Sequence, residues 1–216
     1  MTPPNRARPR PRPLTRRVGR QNMRRTVVVV CEGTTTEPLY FDALRLEREV
    51  QDVAAVQLRV QRSNRGKQPL ALVQKAIDIK AEDNAAGREI DEIWCVFDVE
   101  WPQNHPKLQE TLTLAERNNI SIAVSNPCFE LWLILHFKSQ AAFLTTNEAC
   151  RLRGKLDKSR GKGLNPDLYM PRRNSALQNA RLLDQRHADD ETSFPHDNPS
   201  SGMYRLLAAV SSCRPS

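Results

Sequence analysis

Four consecutive valines, Val27 to Val30, followed by Cys31 make a short apolar, β-branched run. That composition reads as a strand buried on both faces, as in a sheet covered by helices, and not as an alternating half-exposed strand. The run breaks at Glu32-Gly33, three threonines follow, and Pro38 stands where a helix can begin. A carboxylate is thereby set at the C-terminal end of a central strand, on a turn leading into a helix. In open α/β sheets ligands bind along that edge. A second run, Ile90 to Phe97, ends at Asp98-Val99-Glu100, so two acid-tipped strands are expected side by side.

Between and after these strands the pattern alternates. A helix is expected over 38–51, with Leu39, Ala43, Leu46 and Val50 inward and Arg45 and Glu49 paired outward. Val56, Leu58 and Val60 alternate with polar residues as a second strand, 63–68 is a loop, and Pro69 opens a helix to about residue 83. After the strand at 90–97 and a loop punctuated by Pro102 and Pro106, a helix over 107–118 and a strand over 120–124 follow. The repeated βα order predicts an α/β fold: a doubly wound, four-stranded, mainly parallel sheet in the order 2-1-3-4, with helices on both faces. Ser125-Asn126-Pro127 then leads into CFELWLILHF (128–137), apolar nearly all round and so deeply packed. Residues 151–173 read as basic and loop-rich, with helices returning at 174–187 and 199–212. Three parts are expected: an Arg/Pro-rich arm (1–25), an α/β core (26–140), and a basic, mainly helical C-terminal extension (141–216) packing on it.

The net charge of +8 is unevenly distributed. Residues 1–25 carry nine arginines, five prolines and no acid, which leaves the rest of the chain about neutral. Such an arm cannot bury a core. It either adds sequence-independent affinity for phosphate backbones or is a solvated extension. No apolar run approaches the length of a membrane span, no leader peptide is evident, and the five dispersed cysteines suit free thiols in a reducing cytoplasm. The cysteines and four histidines show no zinc-ligand spacing.

If strands 1 and 3 are neighbours, Glu32 faces Asp98 and Glu100. Alternation along an extended segment would point Asp98 and Glu100 the same way, where they could share one divalent ion. Mg²⁺ (or Mn²⁺) accepts a few carboxylates, retained waters and substrate phosphates, and Glu32 is then a candidate general acid/base. The alternative is structural, because acids at strand ends also serve as helix caps or surface pairs.

Cys31 to Phe41 (C-E-G-x-x-T-E-P-x-Y-F), Val96-Phe97-Asp98 and Ser125 to Phe137 (S-N-P-x-F-E-L-W-L-x-L-H-F), with the later Asn198-Pro199-Ser200, resemble the RloB-like family over about 26–212. The strand ending in Glu-Gly and the D-x-D-like element are similar to those of Toprim domains. The resemblance implies a Toprim-like, Mg²⁺-dependent nuclease of prokaryotic anti-phage defence. Such proteins occur in restriction-modification and abortive-infection loci, with an ATPase or modification partner encoded nearby. It also implies Glu32 as acid/base, Asp98 and Glu100 as metal ligands and Glu37 as an auxiliary. Glu100 departs from the pattern, because the second acid of D-x-D is here one methylene longer.

Other residues carry weaker signals. Glu130 lies in the first turn of the apolar helix, where it can complete a metal shell or simply favour the helix dipole. His136 reads as a hydrogen-bonded core histidine. His105, in the loop after Glu100, is a candidate proton carrier or phosphate contact. Arg151, Arg153, Lys155, Lys158, Arg160, Lys162, Arg172 and Arg173 are candidate contacts to DNA or RNA. Gly161-Lys162-Gly163 lacks phosphate-loop spacing and reads as a flexible linker. Two further readings stand beside the nuclease: a nucleic-acid-binding or sensor module without turnover, and an amino-methyltransferase, because Asn126-Pro127-Cys128-Phe129 is similar to that family's N-P-P-[FY] element. Against the latter, Glu-Gly-Thr-Thr-Thr is no Gly-rich nucleotide loop.

Overall fold

Val27 to Val30 are all fully buried and lie at the centre of a sheet. The computed structural model describes residues 25–48, 50, 57–62, 68–100, 107–159 and 161–211; the arm through residue 24, His105 and Arg160 lie outside them. Strand β1 (Thr26–Cys31) is flanked by β2 (Gln57–Arg62) and β3 (Glu92–Asp98), and β4 (Ser121–Asn126) continues the sheet beyond β3. These pairings are parallel, with Cys31 opposite Val96 and Asp98 opposite Ser125.

The expected four strands become five. β5 (Ser200–Ser201) pairs antiparallel with β4 and makes the sheet mixed, in the order β2-β1-β3-β4-β5. Its segment reads only as helix in the sequence, because two residues are too few to show a strand period. Tertiary contacts hold it. The Ser125 and Ser201 hydroxyls lie 3.1 Å apart, and Gly202 N–H donates to the Val124 carbonyl at 2.8 Å.

Alternate residues of the central strands sort onto two faces, as the period of an extended chain requires. Val28, Val30, Cys95 and Phe97 pack with α2 (Pro69–Ala85) and α3 (Leu108–Arg117). Val27, Val29, Trp94 and Val96 face α1 (Thr36–Leu44) and α4 (Phe129–Leu135). That second core also takes in residues of α5 (Thr146–Asp157), α6 (Pro166–Tyr169), α7 (Arg173–Asp189) and α8 (Met203–Ser211). The segment after residue 141 therefore shares the core and supplies a strand of the sheet. Residues 151–173, expected to be loop-rich, are largely helical: they contain most of α5, all of α6 and a 3₁₀ turn at Met170–Arg172. A reciprocal cap starts α5, where Thr145 Oγ1 accepts from Glu148 N–H and Glu148 Oε2 accepts from Thr145 N–H.

Helix α1 presents a different face from the expected one. Tyr40, Phe41 and Leu44 are buried, whereas Leu39 and Leu46 are 37% and 68% exposed. Both faces are apolar at helical spacing, so periodicity alone does not choose between them. The choice is made by α4, whose Phe129 and Trp132 meet the Tyr40 ring edge-on at 5.8 and 6.2 Å.

His136 completes this aromatic core. Its Nδ1 donates to the Trp132 carbonyl at 2.9 Å, so Nε2 accepts from the Tyr40 hydroxyl at 3.2 Å. Burial lowers its pKa to about 4 from an ordinary 6.5. Unfolded chains take up that proton near 6.5, so the stability His136 supports is present above 6.5 and is lost as the pH falls towards 4. Urea unfolding at two pH values is expected to show an acid-induced loss in wild type, of which this histidine contributes up to about 3 kcal/mol. A shallower loss is expected in His136→Gln, and equal losses would refute the assignment.

Candidate functional site

Parallel register brings the tips of β1 and β3 together. Glu32 N–H donates to the Val96 carbonyl at 3.0 Å, and the Asp98 N–H lies 3.5 Å from Glu32 Oε2. Asp98 is half-buried and accepts from the Phe129 N–H at the start of α4; its Oδ1 is enclosed and makes no hydrogen bond to any described residue. Glu37 enters from the first turn of α1 and is 8% exposed. Its carboxylate folds back over Gly33, where an added Cβ would run into the Glu37 carboxylate. A side chain at position 33 would displace the Glu37 carboxylate from this place. Glu130 arrives from the first turn of α4 and is partly exposed.

The four acids feel one another. Burial raises the Asp98 pKa well above the usual carboxylate range, and the negative charges of Glu37, Glu130 and Glu32 raise it further. Glu37 is raised as well, chiefly by burial; Glu130 adds to the rise, while backbone N–H groups and the Lys162 charge oppose it. A nest of carboxyl groups with a buried, unsatisfied oxygen must hold protons or a cation. The donors are hard oxygens, the chemistry that Mg²⁺ and Mn²⁺ take.

Glu100 is placed differently from the expectation. β3 ends at Asp98, Val99 is buried with its N–H on the Ser125 carbonyl, and Glu100 turns to φ 58° with its N–H on the Pro127 carbonyl at 2.8 Å. The alternation that would align Asp98 with Glu100 therefore stops at the strand end, and the charges acting most strongly on Asp98 come from residues 37, 130 and 32. His136 is in the core, and His105 lies outside the described residues. A cavity of about 430 Å³ lined by Leu112, Ile122, Val124, His187 and neighbours contains none of the four acids.

A family model described as RloB-like protein matches residues 27–210. The chain belongs to that family. No curated protein and no solved structure matches it significantly. The match runs from β1 into α8 and so spans every acid of the nest. Among the described residues of this RloB-like chain, no helix is long and apolar enough to cross a membrane.

The basic segment of the RloB-like chain divides into inner and outer groups. Arg151, Lys155, Lys158, Lys162 and Arg172 are exposed, and Arg172 also lies over the Phe137 ring. Arg153 is turned inward, paired with Asp157 at 2.7 Å and bonded to Tyr169 and to the carbonyls of Gly161 and Gly163. A surface contact to nucleic acid does not fit that placement, and residues 161–163 are an anchored turn in place of the expected flexible linker. Arg173 is half-buried and pairs with Glu47 at 2.5 Å. The Thr36 hydroxyl donates to the Lys162 carbonyl at 3.0 Å, which ties the 161–163 turn to the start of α1 beside the acids. Asn126 is buried and its amide donates to the Pro195 carbonyl and to Asp197, both at 3.0 Å. That amide group ties the end of β4 to the 195–197 turn.

Proposed function

We propose that this RloB-like protein is a Toprim-like, metal-dependent nuclease acting on DNA or RNA. The supporting observation is the charge coupling of Asp98 with Glu37, Glu130 and Glu32, about a carboxylate oxygen that makes no hydrogen bond, at the carboxyl edge of a parallel sheet. Glu32, Asp98 and Glu37 would hold Mg²⁺ or Mn²⁺, with Glu130 closing the shell in the place that the D-x-E spacing assigned to Glu100. The ion when bound polarises a phosphodiester and offsets charge developing on it.

The chain's own groups do the rest. The Phe129 N–H and the close packing of Glu37 on Gly33 hold two carboxylates in place before substrate arrives. Glu32, on the turn after β1, takes or returns the proton of the attacking water. Lys162 and the exposed Arg151, Lys155, Lys158 and Arg172 contact backbone phosphates on the outer side. An anti-phage setting with a partner ATPase or modification enzyme follows from the family resemblance and belongs to the same proposal.

Purified protein incubated with plasmid, single strands or tRNA is expected to cleave one of them with Mg²⁺ or Mn²⁺ and to stop on adding EDTA. Glu32→Gln is expected to slow cleavage on the order of 10²–10³-fold, as for loss of one charged or donating group at a reacting centre. Cleavage unchanged in that variant would remove the acids from the chemistry. Salt-dependent binding without turnover in wild type would instead identify a binding module.

A further inference from the structure

The packing of α4 against α5 brings together three side chains that the nuclease reading does not use as a set. Cys128 is buried at the N-cap of α4, Glu130 lies two residues along, and Cys150 is exposed on α5. One ligand atom from each lies within 4.8 Å of the other two. A tetrahedral ion with bonds of about 2.3 Å to sulfur sets its ligands about 3.8 Å apart. Closing from the one spacing to the other needs about 1 Å of side-chain rotation, which the partly exposed Glu130 and exposed Cys150 can supply without moving a strand.

We propose that Cys128, Cys150 and Glu130 form a second metal site, selective for Zn²⁺ or an ion of similar softness, which shares only Glu130 with the carboxylate nest. Two thiolates and a carboxylate favour such an ion over Mg²⁺, which takes oxygen donors. Three protein ligands leave a fourth position for water or a substrate oxygen, the arrangement of an open zinc site. Binding releases the two thiol protons to solvent. Glu130 is the link between the two sites, because its charge acts on Asp98 and Glu37 on one side and on Cys128 and Cys150 on the other. Arg153, anchored one turn along α5 from Cys150, and Lys162 place positive charge beside the thiol that reaches the surface.

Titration of the reduced, full-length protein with Co²⁺ in a phosphine reductant tests the site without reference to cleavage. A thiolate-to-cobalt absorption is expected to saturate at one equivalent, to be displaced by Zn²⁺ and to persist in excess Mg²⁺. Cys150→Ser, an exposed position expected to fold normally, should abolish it, and Glu130→Gln should weaken Co²⁺ affinity at least about 10-fold, the lower end of effects on metal affinity even for outer-shell partners. Asp98→Asn should keep the absorption, which separates this site from the carboxylate nest. Absence of the absorption in wild type, its persistence in Cys150→Ser, or its loss in folded Asp98→Asn would each overturn the proposal.

Discussion

Asp98→Asn is expected to slow metal-dependent cleavage on the order of 10²–10³-fold and, at the same time, to stabilise the metal-free fold at neutral pH. Both effects have one cause. Asp98 loses much of its hydration at the strand tip and feels the charges of Glu37, Glu130 and Glu32, and both oppose its ionised form. A folded-state pKa raised above the ordinary 3.8 means that the folded chain holds this proton more tightly than the unfolded chain. The corresponding stability is fully present below that ordinary value and is lost as the pH rises through the raised one. At pH 8 in EDTA the wild type carries a penalty that the neutral amide does not. A gain of about 1 kcal/mol in the variant would read as roughly 2–4 °C in Tm for a chain of this size.

Mg²⁺ should reverse the order, because a ligand that binds only the folded state raises wild-type stability by mass action and finds a weakened site in the variant. Thermal unfolding at pH 5 and pH 8, with EDTA or Mg²⁺, checks both signs. A variant that melts below wild type at pH 8 in EDTA would show that Asp98 is satisfied without a metal. Cleavage would be expected to fall on the order of 10²–10³-fold, so the two readouts move in opposite directions. This behaviour distinguishes a functional acid from a structural one, whose removal lowers stability and activity together.

Arg153→Ala carries the second large effect, and it falls on stability. Arg153 and Asp157 have side chains 3% and 2% exposed, and the guanidinium also bonds Tyr169 and the carbonyls of Gly161 and Gly163. Asp157 in turn accepts from the Tyr169 hydroxyl at 2.5 Å. Truncation leaves a buried carboxylate and two loop carbonyls without their cation, which costs about 3–5 kcal/mol, or on the order of 10 °C in Tm. Lys155→Ala, two residues away and exposed, should stay within about 0.5 kcal/mol of wild type. Urea denaturation of both variants is the check. A loss below about 1 kcal/mol in Arg153→Ala would mean that the guanidinium is solvated and available to a ligand.

The two arginine-segment variants also show where residue type misleads. Arg153 and Lys155 look alike in a basic run, but α5 turns them about 200° apart, one into the core and the other to solvent. Glu100 shows the same limit in a strand. The D-x-E spacing points both acids one way only while the chain stays extended, and here it leaves the strand after Asp98. No spacing links Cys128 to Cys150, since 22 residues and a helix–helix contact separate them. The available clue was chemical: a cysteine and a glutamate two apart at the start of a helix that is otherwise apolar.

The strands, their order through the fourth, and the meeting of Glu32 with Asp98 are local properties, written into β-branched runs, acidic tips and the right-handed βα repeat. Burial on both faces demands an unbroken apolar run, and parallel pairing sets such runs tip to tip, so these features survive translation from one dimension. The inward face of α1, the two-residue β5, the turn of Arg153 and the gathering of Glu37, Glu130 and the two thiols belong to packing. Each depends on which neighbour fills the adjoining space, and short segments with two equally apolar faces, or side chains joined only across helices, contain no period that specifies it.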